Sequence, residues 1–268
     1  MLKIFLISGL LLFITFKVPA QESTASQQVS TFIINAPQLQ TTKTIWVYLP
    51  KSYSDSENKY PVIYMHDAQN LFDKRTSYAG EWEVDETLDK LNANVIVIGI
   101  EHGNENRMDE LTPFQNEKYG GGKADGYLDF IVNTLKPHVD SVYRTKTIAK
   151  STTIFGSSLG GLVSFYAVLK YPKIFGKAGV FSPSFWFTND IYELMAKSKK
   201  VKAKIYFLCG DSESKDIDVV GDLNKMYQLL IENRSESLKL QEKVIVKGAE
   251  HNEKLWREGF EKAYLWLE

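Results

Sequence analysis

A single cysteine, Cys209, stands in 268 residues, so an intrachain disulfide and any cysteine-based zinc site are excluded. Cys209 lies in an apolar, strand-like run and reads as a small buried hydrophobe. Histidine is scarce as well: four residues, His66, His102, His138 and His251, are the whole stock of imidazole bases. Charge of one sign is missing. The formal net charge of −1 gives no electrostatic reason to expect a nucleic-acid partner. No apolar run reaches a comfortable membrane span. The longest candidate, Ile4 to Phe16, follows Lys3 and precedes Val18-Pro19-Ala20, and no cysteine comes after it to accept a lipid. This is the layout of a signal peptide at residues 1–20, cut after Ala20. The expectation is an exported chain, periplasmic or extracellular, with no stable membrane insertion after cleavage. Repeats, low-complexity tracts and interdomain linkers are also missing. After a polar lead-in at 21–30, expected to be flexible, residues 31–268 read as one domain.

What is present is an alternation of strand-like and helix-like segments. Thr31–Ile34 and Thr44–Tyr48 predict an opening antiparallel pair, and Val62–Met65 an apolar strand. Val95-Ile96-Val97-Ile98-Gly99-Ile100 is continuously apolar and mostly β-branched, as in a strand covered on both faces. Further strands are predicted at Thr152–Phe155, Ala178–Phe181, Lys204–Cys209 and Lys239–Val246. Helical spacing marks Val84–Leu91, Ala124–Val139, the run after Ser158, Ile191–Lys197, Val219–Glu232 and Glu253–Leu267. Strands alternating with helices predict an α/β fold, a mostly parallel twisted sheet of about eight strands with helices on both faces.

Between one predicted strand and helix stands Gly156-Ser157-Ser158-Leu159-Gly160. A serine in a tight strand-to-helix turn is the layout of a nucleophile elbow. Alone the pattern is weak, since chance supplies a G-x-S-x-G in a chain of this length roughly one time in ten. Its value rests on partners. In a parallel sheet ligands bind beyond the carboxyl ends of the strands. Gly210-Asp211-Ser212-Glu213 follows one predicted strand there, and Lys247-Gly248-Ala249-Glu250-His251 follows the last. A hydroxyl needs a base, and an imidazole needs a carboxylate to hold its tautomer. The chain order serine, acid, histidine suits hydrolases with this elbow. His251, just before the final helix, is the candidate base. His138 falls within a helix pattern and His66 just after a strand, both read as structural, while His102 lies in a polar loop and nothing in the sequence assigns it a role. The acid is Asp211, Glu213 or Asp216, all in one loop; reach favours Glu213, with Asp211 next. The Leu159 N–H would be one oxyanion donor, and the polar loop His66-Asp67-Ala68-Gln69 would supply the other.

Several segments, in this order, resemble the esterase D-like family of α/β hydrolases, which includes feruloyl and acetyl xylan esterases, siderophore-ester hydrolases and mycolyltransferases. They are Tyr64-Met65-His66-Asp67-Ala68-Gln69-Asn70-Leu71-Phe72-Asp73, Glu81-Trp82 with Val84-Asp85-Glu86, Arg107 with Leu111-Thr112-Pro113, Tyr127-Leu128-Asp129-Phe130-Ile131, Gly156 to Gly161, and Phe181-Ser182-Pro183-Ser184-Phe185-Trp186. The resemblance covers most of the chain beyond residue 30. It implies an α/β-hydrolase fold and a serine esterase without cofactor or metal, acting on small-molecule or carbohydrate-linked esters. Ser158 would be nucleophile, Glu213 acid and His251 base, with the Gln69 and Leu159 amides as oxyanion donors. Ala68 stands where similar sequences commonly carry glycine, which would strain the loop if that residue needs positive φ. An acyltransferase with the same triad, or a non-catalytic ligand-binding relative, are the alternatives.

Two residues are candidates for substrate contact. Arg107 would receive an anionic or polyhydroxyl group, or else pair with Asp109 or Glu110 on the surface. Trp186 would stack on an aromatic or sugar ring, while Phe185 and Phe187 belong to the core. Trp256, Tyr264 and Trp266 are expected to pack the last helix on the sheet. The glycine-rich stretch from Glu101 to Gly122 shows neither strand nor helix period.

Overall fold

The computed structural model describes residues 22–198, 200–232 and 240–268. The expected signal peptide and its cleavage point lie outside the described residues, as does Lys239 of the last predicted strand. Strands β1 (Val29–Ala36) and β2 (Thr41–Tyr48) form the antiparallel opening pair, longer than the sequence pattern indicated. Then come β3 (Val62–His66), α1 (Val84–Lys90), β4 (Ile96–Ile100) and a short helix α2 (Arg107–Leu111). A two-residue pair follows, β5 (Gln115–Asn116) with β6 (Gly120–Gly121), and then helices α3 (Ala124–Phe130) and α4 (Lys136–Val142). The second half repeats strand and helix: β7 (Thr152–Ser157), α5 (Leu159–Lys170), β8 (Lys177–Phe181), α6 (Asp190–Lys197), β9 (Lys204–Gly210), α7 (Val219–Glu232), β10 (Gln241–Val246) and α8 (Glu253–Leu267).

The main sheet has eight strands in the order β1-β2-β4-β3-β7-β8-β9-β10. Only the β1–β2 and β2–β4 pairings are antiparallel. Every residue of β3, β4 and β7 is buried, and β4, covered on both faces, is the one that reads as an unbroken apolar run. Alternate side chains supply two cores. Tyr64, Ile98, Ile154, Val180 and Phe207 face Leu162 and Phe165 of α5 and Leu223 and Met226 of α7. Ile63, Met65, Val97, Phe155 and Leu208 face Val84 and Leu88 of α1 and Leu255, Trp256 and Phe260 of α8. Period two along each strand thus puts helices on both faces.

Two departures from the sequence pattern have physical causes. The helix predicted over Ala124–Val139 is interrupted by a π-helical turn at Ile131–Leu135, just before Pro137 at the start of α4. Proline cannot donate to the preceding turn and its ring crowds it, so a wider turn absorbs the mismatch. The stretch from Glu101 to Gly122 holds α2 and the β5–β6 pair rather than plain loop. Gly120, Gly121 and Gly122 take φ of 75°, 83° and 95°, and a Cβ on Gly121 would lie 2.2 Å from Thr112 Oγ1. That hydroxyl donates to Met108 O and accepts from Gly122 N–H, a tie made by tertiary contact and invisible to periodicity.

Residues 22–28 carry no helix or strand, yet they are tied to the body. Ser23 Oγ donates to Asp73, Thr24 Oγ1 to Glu81 at 2.8 Å, and Ser26 N–H to Asp85 at 2.7 Å. Glu81, Asp85 and Glu86 each turn one carboxylate oxygen inward, all within 4.8 Å of one another. These hard oxygen donors are the described group that could take a divalent cation, and a shared proton meets the same need. Burial, then the neighbouring Asp85, pushes the Glu86 carboxyl up to about 8 from its ordinary 4.5. A carboxyl raised on folding favours the fold at low pH, and that contribution is lost as pH rises towards its folded value. Glu86→Gln, uncharged throughout, is therefore expected to gain about 1 kcal/mol near pH 9, allowing for solvent screening, and to gain nothing near pH 5. Melting temperatures at the two pH values measure it; an equal shift at both would refute the assignment.

Candidate active site

The strand order reverses between β3 and β7: from β3 the chain proceeds to β4 on one side, and from β7 through β10 on the other. Such a switch point opens a crevice at the carboxyl ends of its two strands. The residues that emerge there are His66 at the end of β3, Asp67-Ala68-Gln69 after it, and Ser158 after β7.

Ser158 caps α5 with φ 57° and ψ −122°, a conformation that costs a non-glycine residue of order 1–3 kcal/mol. The surroundings hold it there. Its N–H donates to Phe181 O at 2.9 Å, and its carbonyl accepts from Leu162 N–H and Ser184 N–H. Close neighbours must be small. A Cβ on Gly156 would lie 2.8 Å from the Gly160 carbonyl, and one on Gly161 2.6 Å from Phe181 O, the acceptor that holds Ser158. Gly161→Ala is accordingly expected to lose about 2 kcal/mol in urea unfolding, since the obstacle is backbone and cannot rotate away. The Ser158 hydroxyl is half-buried, 3.4 Å from Ser184 Oγ.

Glu213 and His251 meet. Nδ1 of His251 lies 2.7 Å from Glu213 Oε2, and the Glu213 side chain is fully buried while that of His251 is 33% exposed. The other oxygen of Glu213 accepts from Gly210 N–H at 2.7 Å and from Ser182 Oγ. Ser182 in turn accepts from Trp256 Nε1 at 2.9 Å, and the Trp256 ring stands edge-on to the His251 ring at 5.2 Å. A carboxylate already holding two donors accepts the imidazole Nδ1–H, which leaves Nε2 with a free lone pair. Of the other loop acids, Asp211 Oδ1 accepts from Gly248 N–H at 2.6 Å, and Asp216 donates its backbone N–H to Ser214 Oγ. Sequence reasoning missed Ser182 and the polar role of Trp256. The signal was there, since Ser182 directly follows β8 at the carboxyl edge.

The β3 loop enters through a left-handed residue, and that residue is Asp67 at φ 58°, not Ala68. The anticipated strain at Ala68 therefore does not arise: it opens a 3-10 turn, and its methyl packs where Gly99 leaves room. Among the described residues, neither Gln69 N–H nor Leu159 N–H has a hydrogen-bond acceptor. Both stand at the start of helical turns, where donors are left over.

Arg107 makes neither of the surface pairs offered for it. Its Nε and Nη2 donate to Asp67 Oδ1 and Oδ2 at 2.7 and 2.9 Å, while Asp109 pairs with Lys123 and Glu110 with Lys43. Burial would push the Asp67 carboxyl up, but the Arg107 charge and its hydrogen bonds outweigh this and hold it below the usual range. His66 is structural: burial lowers it to about 4, and Nδ1 meets the Tyr127 hydroxyl at 2.7 Å. His102 Nδ1 accepts from Asn104 N–H in the loop after β4, and His138 is exposed beside Phe32. Phe185 and Phe187 are buried as expected, while Trp186 is 36% exposed and meets Tyr119 edge-on at 5.9 Å. Tyr119, from the β5–β6 turn, was not anticipated as a companion to Trp186.

A mostly parallel sheet covered on both faces, with a strained serine at the β7–α5 turn and a buried carboxylate bonded to a partly exposed histidine beyond neighbouring strand ends, defines an α/β-hydrolase fold. The chain matches the family described as "Putative esterase" over residues 36–267, and it belongs to that family; it is a carboxylic ester hydrolase. Its relatives include uncharacterized protein YbbA of Bacillus subtilis, 30% identical over 237 residues, covering 82% of this chain and 90% of that one. The endo-1,4-beta-xylanase/feruloyl esterase of Xylanibacter ruminicola is 24% identical over 88% of this chain and 30% of its own. The crystal structure of the enterobactin esterase of Shigella flexneri superposes with a TM-score of 0.70 at 16% identity, over 91% of this chain and 60% of that one.

Proposed function

We propose that this esterase is an exported serine hydrolase that cleaves carboxylic esters through an acyl-Ser158 intermediate. The observation that carries the reading is the Glu213–His251 hydrogen bond of 2.7 Å, made by a fully buried carboxylate at the same carboxyl edge of the sheet as the elbow, two strands along from β7. In the first step Ser158 Oγ leaves its contact with Ser184, passes its proton to His251 Nε2 and bonds the ester carbonyl carbon. Hydrogen bonds of this kind often tighten only with substrate bound. The negative charge that forms on the carbonyl oxygen is received by the Gln69 and Leu159 N–H groups, placed before the reaction and needing no reorganisation. Glu213 holds the Nδ1–H tautomer and stabilises the imidazolium. As the intermediate collapses, the carbon–oxygen bond to the alcohol breaks and His251 returns the proton to that alcohol. Water then repeats the sequence on the acyl-enzyme and releases the acid.

The substrates proposed are carbohydrate-linked or siderophore-type esters, with Trp186 against an aromatic or sugar ring. Support comes from the feruloyl and enterobactin esterases among the similar proteins and from the exposed Trp186–Tyr119 pair. A fluorophosphonate is expected to add once, at Ser158, as read by intact mass and peptide mapping. Labelling elsewhere, or none alongside sustained ester hydrolysis, would sink the mechanism. A panel of feruloylated and acetylated sugars and catecholate lactones then ranks substrates by kcat/KM. For export, sequencing the protein recovered outside the cytoplasm should begin at Gln21.

A further inference from the structure

We propose that Arg107 and Asp67 form a positioning clamp for the oxyanion donors, rather than a substrate contact. This rests on the serine-hydrolase reading above. Three observations meet at Asp67. It is the left-handed residue that turns the chain from β3 into the 3-10 turn Ala68–Asn70, so its conformation sets where the Gln69 N–H points. Both its oxygens are taken by the Arg107 fork, a planar bidentate match that fixes orientation as well as distance. Its Oδ2 also lies 3.4 Å from where a Cβ on Gly160 would stand, against the first turn of α5 that carries the Leu159 N–H. One carboxylate thus belongs to the first donor segment and faces the second.

The clamp answers an electrostatic problem. A buried, unpaired carboxylate beside two N–H donors would repel the negative charge they are there to receive, and low local polarity would magnify that repulsion. Arg107, anchored at the start of α2 beyond β4, cancels it. A second, weaker tie between the same loops runs from His102 N–H to Gln69 Oε1 at 3.4 Å. With both oxygens of Asp67 engaging its guanidinium, the Nε and Nη2 side of Arg107 is committed to the protein itself.

The test is steady-state kinetics with p-nitrophenyl acetate on Arg107→Lys, Arg107→Gln and the Arg107→Gln/Asp67→Asn double variant, with Ser158→Ala in parallel and melting curves for each. Lysine keeps the charge and loses the fork, so kcat should fall about tenfold; glutamine strands the carboxylate, so kcat should fall about a hundredfold, near the loss of one oxyanion donor. KM should stay within about threefold, because the donors act on the transition state. Removing the stranded charge in the double variant should recover about tenfold over Arg107→Gln. Wild-type kcat in Arg107→Lys, losses confined to KM, or a double variant no better than Arg107→Gln would each overturn the clamp. If Arg107→Gln does not fold, Arg107→Lys carries the test. Activity in Ser158→Ala would instead strike the underlying mechanism.

Discussion

Ser158→Ala, His251→Ala and the double variant should all lose ester hydrolysis to the same depth, about 10⁶-fold in kcat, with melting temperatures close to that of the parent. Equal depth is the informative part. In the proposed mechanism nucleophile and base perform one proton-coupled bond formation, so once either is gone the other has nothing left to do, and their losses do not multiply. What survives is the contribution of the oxyanion donors and of binding, about 10³–10⁴-fold over water. Folding should tolerate the change at Ser158. Alanine keeps the Cβ, and the bonds that hold the strained turn are made by the backbone N–H and carbonyl of residue 158, not by its hydroxyl. Single-turnover assays against the uncatalysed rate measure this. Losses that multiply in the double variant would mean that serine and histidine act independently, and the mechanism would fail.

The second large effect separates the acids of one loop. Glu213→Gln is expected to lower kcat about 10⁴-fold, while Asp211→Asn stays within about tenfold of the parent. An amide at 213 presents an N–H where the imidazole presents one, so the ring is driven to the wrong tautomer and the emerging imidazolium loses its counter-charge. At 211 the amide oxygen still accepts the Gly248 N–H that shapes the loop leading to His251. The chain of bonds from Trp256 through Ser182 to Glu213 adds a gradation: Ser182→Ala leaves Gly210 N–H and His251 as the partners of the carboxylate, a modest change. Kinetic constants at one pH for the variants decide the matter. A severe loss in Asp211→Asn with a mild one in Glu213→Gln would transfer the role.

Much of the fold was legible because both faces of the sheet are covered. Strands such as Ile96–Ile100 then read as unbroken apolar runs, and helices such as Glu253–Leu267 keep their period. Where local signals conflict, legibility falls. Pro137 sits inside a helical pattern, and the π turn that accommodates it leaves no trace in apolar spacing. The glycine run at 120–122 reads as loop, although it closes a small hairpin on Thr112. At the site, the elbow and the histidine stood out because chain order and strand ends constrain them strongly. The acid did not, since Asp211, Glu213 and Asp216 share one loop and differ only in how their side chains reach.

By itself the sequence determined the alternation of elements, the position of the strained serine turn and the shortage of imidazoles that singled out His251. These are properties of local composition and order. Only the tertiary structure decided that Glu213 rather than Asp211 meets His251, that Arg107 closes on Asp67, and that Asp67 rather than Ala68 takes the left-handed turn. Each is a choice among chemically similar groups near one another along the chain. Such choices turn on distances of a few ångströms between segments far apart in sequence, which periodicity and composition do not encode.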